Sequence, residues 1–231
     1  MSSLACVAAL VLLMDVSGSI DAQEYDLQRD GTANAFRDAE VVRVITNKGP
    51  VAVTLLEFAS SARVAVDWRV IRSHQDAVMM ANAIAATARS DAIGGSTNIA
   101  AGLSTSFEQL ERVPCQPEEQ IIDISGDGRH SGSGGVTPMR AYAIEHGIRI
   151  NALAILGEPN EPDLVGYFRE EVATPGGFVI PAADHFRFAW AMRMKLTLEL
   201  ANSWTRRPYA RSAVVRSNLV RGPGVRPGIP R

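Results

Sequence analysis

Residues 4–19 read LACVAALVLLMDVSGS: an apolar run from Leu4 to Met14 that passes directly into Asp15, Ser17 and Ser19. A β-strand covered on both faces reads as a continuous apolar run rather than an alternating one. The run also has the length of a signal-peptide core, but no basic residue precedes it and no small-residue cleavage site follows. The expectation is therefore a buried strand that ends where one carboxylate and two hydroxyls begin. In open parallel α/β sheets, ligands bind outside the carboxyl ends of the strands. Three hard oxygen donors at alternate positions suit a hard divalent cation, Mg²⁺ above all. Taken alone, a D-x-S-x-S string fixes only three positions, and a strand end followed by a small-residue turn has the same pattern.

Two later segments add to it. Gly94-Gly95-Ser96-Thr97-Asn98-Ile99 is a glycine-led loop opening a helix-like stretch to about Leu110, where Thr97 or Asn98 is suited to be the N-cap. Ile121-Ile122-Asp123-Ile124-Ser125-Gly126-Asp127-Gly128 is a second buried strand closing in an acidic turn. In this order the three segments resemble the metal-ion-dependent adhesion site of the von Willebrand factor type A (vWA) domain. That resemblance runs from Leu4 to Ala201. It is nearest to a bacterial branch of uncharacterised vWA-like domains, on Asp15 to Arg29, Ile121 to Gly128, Tyr167-Phe168-Arg169 and Gly176-Gly177-Phe178-Val179. It implies a Rossmann-like α/β fold, a mostly parallel sheet of order 3-2-1-4-5-6 with one antiparallel edge strand, and helices on both faces.

The resemblance also implies the metal ligands Asp15, Ser17, Ser19, Thr97 and Asp127, holding Mg²⁺ or Mn²⁺. One coordination position stays open to a carboxylate from a protein partner. Arg129-His130-Ser131 stands where such relatives carry Pro-Asn-Asn, so Arg129 and His130 are candidates for a partner-binding rim peculiar to this chain. Cys6 and Cys115 fall on strands that are neighbours in this order; a disulfide in an oxidising compartment and two separate thiols both remain open.

The rest of the chain agrees with alternating helix and strand. Asp21 and Glu24 suit the positive end of a helix that runs from Ala22 to about Thr46, broken near Asp38. Val51 to Phe58 and Arg63 to Val70 form a hairpin across a short polar link. Further helices are expected over Ser73–Arg89, Thr137–His146, Asp163–Glu171 and Asp184–Ala201, and strands over Ile148–Ile155 and Gly177–Ile180. In the last helix Phe186, Trp190, Met194 and Leu198 recur at steps of four, the spacing of a core-facing stripe.

The 231 residues suit one domain of about 200 residues. No apolar stretch reaches the roughly 18–20 residues of a membrane span. The net charge of −2 hides an asymmetry: from Asn202 onward there are seven arginines and no acidic residue, leaving residues 1–201 at −9. An acidic body argues against nucleic acid as the partner. Residues 202–231, rich in Arg, Pro and Gly, are expected to be a disordered extension to a vWA-like domain over 1–201. The histidines His74, His130, His146 and His185 are too scattered for a zinc site.

Three enzymatic readings lack the residues they need. A haloacid-dehalogenase-type phosphatase needs an Asp at the position of Ser17, no G-x-S-x-G elbow is present, and no phosphate-binding G-x-x-x-x-G-K-[ST] loop is present. The expectation is a non-enzymatic, metal-dependent protein-binding module. A metal-dependent hydrolase and a domain whose ion only orders its loops are the alternatives. The compartment is periplasmic or secreted if a leader precedes this chain, and cytoplasmic otherwise.

Overall fold

The apolar run forms β1 (Ala5–Asp15), and every residue from Cys6 to Asp15 is buried. It lies between two parallel neighbours, β2 (Val51–Phe58) and β4 (Gln116–Gly126). The computed structural model describes residues 4–157 and 163–202. In it β3 (Ala62–Ile71) pairs antiparallel with β2, while β5 (Arg149–Ile155) and β6 (Val179–Ala182) continue in parallel from β4. The sheet order is β3-β2-β1-β4-β5-β6, as the sequence led us to expect.

Successive β1 side chains point to opposite faces, and each face has its own helical cover. Leu10, Leu12 and Met14 pack under α1 (Ala22–Ala35), α2 (Ala39–Lys48), α3 (His74–Ala85) and α7 (Phe188–Asn202). Ala9, Val11 and Leu13 pack under α4 (Ile99–Leu110), α5 (Val136–Glu145) and α6 (Leu164–Tyr167). Full burial of each such Leu or Val contributes about 1.5–3 kcal/mol, so the central strand anchors both cores.

Local chemistry sets the element ends. Asp38 separates α1 from α2 by accepting hydrogen bonds from the backbone N–H groups of Glu40 and Val41. At Gly31 a Cβ would stand 2.9 Å from Phe188, so the missing side chain is what lets α1 and α7 approach. β4 begins five residues before Ile121, because its polar first half pairs with the start of β1. α3 stops at Ala85, four residues short of the expected Arg89. The chain turns there, with the Thr87 hydroxyl donating to the Ile84 carbonyl at 2.9 Å. Cys6 and Cys115 form a disulfide with Cα atoms 5.9 Å apart, tying β1 to the residue that precedes β4.

The expected stripe on α7 is a correction. Phe186, Trp190, Met194 and Leu198 are 72, 57, 37 and 39% exposed, so this row faces outward. The core side carries Ala191, Met192, Leu196 and Leu200 together with Lys195 and Glu199, both fully buried. Lys195 pairs with Asp123 of β4 and, at 2.8 Å, with Glu199, while the Asn151 amide donates to Glu199 at 2.8 Å. Burial pushes the Lys195 ammonium below its ordinary value, and the Glu199 charge opposes that shift. Paired charges can occupy a core position that a hydrophobic pattern assigns to the surface.

Among the described residues no helix is long and apolar enough to cross a membrane. The expectation of a disordered tail over 202–231 lies, from residue 203 on, outside the described residues.

Candidate functional site

Three loops meet at the carboxyl end of the sheet, and short-range backbone contacts hold each in place. At the end of β1 the Asp15 carboxylate accepts the Ser17 N–H at 2.8 Å, curling the chain into a turn. Gly18 N–H donates to the Gly95 carbonyl at 2.8 Å, joining this turn to the glycine-led loop. In that loop Asn98, not Thr97, caps α4: its side chain accepts the Ala101 N–H at 3.1 Å and donates to the Ser60 carbonyl. The Thr97 hydroxyl is thereby free to turn toward the other loops. Asp127 follows Gly126, the last residue of β4.

All five expected ligands come together. Thr97 Oγ1 donates to Ser17 Oγ at 3.1 Å, Ser17 Oγ lies 3.3 Å from Ser19 Oγ, and Ser19 Oγ donates to Asp127 Oδ1 at 2.9 Å. Asp15, Ser17, Thr97 and Asp127 are buried, while Ser19 stands at the exposed edge. Asp15 Oδ2 is buried and has no hydrogen-bond partner among the described residues. A Cβ on Gly126 would lie 2.9 Å from that oxygen, so glycine keeps the space beside it clear.

The electrostatics point the same way. Burial, and next the negative charge of Asp127, push the Asp15 carboxyl from 3.8 up to about 7, against hydrogen bonds from Ser17 and the charge of Arg89. Two carboxylates and three hydroxyls form an all-oxygen donor set, the kind that Mg²⁺ and Mn²⁺ prefer. The residues present fit a hard divalent cation: it would engage the orphaned oxygen and offset the repulsion between the two acids. Among the described residues no cluster of three or more His, Cys, Asp and Glu side chains is arranged to hold a metal. A centre here depends on its hydroxyls.

The rim residues divide. Arg129 is exposed and lies over the Tyr167 ring at 4.8 Å. His130 is half-buried, with its N–H on the Tyr167 hydroxyl at 3.1 Å and its Nε2 3.2 Å from the Gly134 carbonyl. His130 thus shapes the loop from within, and Arg129 is the one that faces outward.

Supporting residues escaped the sequence reading. The Arg89 guanidinium donates to the carbonyls of Ile20 and, at 3.1 Å, of Ser17, clamping the first loop from behind. Ser131 accepts the Thr97 N–H at 3.1 Å and donates its own N–H to the Thr97 carbonyl at 2.9 Å. Neither carries a motif, and only its place in the fold gives it a role.

A family model described as "Protein of unknown function (DUF1194)" matches residues 5–204. No curated protein matches the sequence. Among solved structures the chain is similar to proximal thread matrix protein 1 from the mussel byssus, in a structure with a zinc-occupied MIDAS motif. There the identity is 17%, the TM-score is 0.60, and 84% of this chain and 46% of that one are covered. It is also similar to a von Willebrand factor type A protein from Catenulispora acidiphila, at 13% identity, TM-score 0.61 and coverage of 85% and 42%. The pilus adhesin SpaC from Lactobacillus rhamnosus GG matches at 14% identity, TM-score 0.60 and coverage of 85% and 30%. The chain spans less than half the length of these solved chains, and the likeness is one of fold: a vWA-type domain.

Proposed function

The chain belongs to the DUF1194 family of proteins of unknown function, and from that membership and its vWA-type fold we propose that it is a metal-dependent protein-binding module rather than an enzyme. One observation carries this reading: Thr97, Ser17, Ser19 and Asp127, from three loops, join in a hydrogen-bonded chain next to Asp15, whose buried Oδ2 has no hydrogen-bond partner among the described residues. Asp15 and Asp127 supply the charge that would hold Mg²⁺ or Mn²⁺. Ser17, Ser19 and Thr97 supply neutral oxygens, so the set leaves part of the ion's charge unbalanced. When bound, the ion offers an acidic side chain of a partner a direct coordination position. Ser19, at the exposed edge, marks the side from which that partner approaches, and Arg129 lines the approach. The Cys6–Cys115 disulfide supports an oxidising compartment, periplasmic or secreted.

The test is capture from a lysate of the source organism on immobilised wild-type and Asp15→Ala chains, eluted with EDTA and identified by mass spectrometry. The expected result is a protein released by EDTA from wild-type beads and missing from Asp15→Ala beads. Identical captured sets on both would overturn the bridge and favour an ion that only orders the loops.

A further inference from the structure

Beside the candidate metal centre lies a cavity of about 290 Å³, open to solvent, whose lining includes Asp21, Glu24, Asp127 and Asp184 and, among the described residues, no lysine or arginine. His185 lines it too, although only 8% exposed. Its Nδ1 is 3.0 Å from Glu24 Oε1, while its Nε2 is enclosed and has no hydrogen-bond partner among the described residues. The other Glu24 oxygen accepts the Asp21 N–H at 2.9 Å in the capping box of α1, which fixes the dyad to the start of that helix. Phe186, 72% exposed, and half-buried Leu27 give the cavity an apolar side.

We propose that this cavity is a second subsite for the same partner and takes a lysine or arginine side chain. The inference rests on the metal-bridge reading for its placement, because Asp127 belongs to both sites. A basic side chain matches the lining in each part. Its head offers several N–H donors and no acceptor to a surface of carboxylates. Its methylene stem lies along Leu27 and Phe186, and the cation gains from the Phe186 ring face. A bare metal ion matches less well, since the described acidic and histidine side chains are not clustered for coordination. The preferred partner segment therefore pairs an acid, for the metal, with a nearby base, for the cavity.

Two measurements on the full chain separate this proposal from the bridge. In the first, fluorescence polarisation in Mg²⁺ compares labelled peptides with a central Asp, each carrying Lys, Arg, Ala or Glu at one flanking position. Lys or Arg at one offset should tighten binding at least about fivefold over Ala, the size of a modest ion pair, and Glu should weaken it. In the second, N-acetyl-lysine methylamide is titrated into the ¹⁵N-labelled chain in EDTA. It should shift the amides of His185 and Phe186 saturably, whereas the N-acetyl-glutamate analogue should not. Phe186→Lys, at an exposed position, and Asp184→Asn should remove both effects while leaving calorimetric Mg²⁺ affinity unchanged. Metal-dependent binding that is equal for Lys, Arg and Ala at every offset, with no lysine-induced shifts, overturns the subsite and spares the bridge. Lysine-induced shifts at His185 and Phe186 without metal-dependent peptide binding support the subsite and overturn the bridge.

Discussion

Asp15 concentrates the chemistry of this domain. Its carboxyl is buried beside Asp127, which raises it to about 7 in the absence of a cation. A carboxyl raised above its ordinary 3.8 favours folding while it is protonated. That contribution is complete below the ordinary value and is lost as pH rises through about 7. In EDTA, thermal melts of the wild type should therefore show stability falling between pH 5 and pH 8 by up to about 2.6 kcal/mol. Asp15→Asn should remove most of that slope; an unchanged slope would place the pH dependence elsewhere. Thr97 tests a different property. It comes from a separate loop and meets Ser17 through its hydroxyl, so Thr97→Ala should reduce partner affinity more than metal affinity. A ligand shifts a loop arrangement only by binding its two states unequally. Equal losses, measured on one preparation, would favour a purely structural ion. The D-x-S-x-S string, the loop threonine and the acidic turn made the five side chains legible in the sequence. Arg89 and Ser131 were not, because backbone-directed hydrogen bonds from distant loops leave no periodic or spaced trace.

At the scale of elements, the strands were the most legible, because a strand buried on both faces has few alternative readings. The central strand was plain from its unbroken apolar run, and the helix break was expected near Asp38, which proves to be the N-cap of α2. α7 was misread for a physical reason. A hydrophobic pattern sorts Lys195 and Glu199 outward and Trp190 and Leu198 inward, yet Asp123 and Asn151 wait on the sheet to pair with the two charged groups. Asp123 sits among the apolar residues Ile121, Ile122 and Ile124 of β4, which was the available signal. Lys195→Met should expose the cost of this arrangement. It leaves two buried carboxylates without their cation, at about 3–5 kcal/mol, readable as a fall in urea midpoint. A loss under about 1 kcal/mol would mean that the pair contributes little to holding α7.

Across the whole molecule the sheet has two ends with separate duties. Cys6 lies nine residues before Asp15 on the same strand, roughly 30 Å away at about 3.3 Å per residue. The disulfide closes a 109-residue separation, and replacing both cysteines by serine should lower stability by about 2–4 kcal/mol. Metal affinity should stay the same, since no loop of the candidate centre touches that end. A parallel loss of metal binding would show that the two ends are coupled. The central claim, that the three loops hold a divalent cation, is tested most directly by calorimetric titration of Mg²⁺ and Mn²⁺ into the wild-type, Asp15→Ala and Asp127→Ala chains. One ion per wild-type chain is predicted, with no measurable binding after either substitution, because each leaves a hard cation mainly neutral donors. Wild-type affinity retained in Asp15→Ala would contradict the claim.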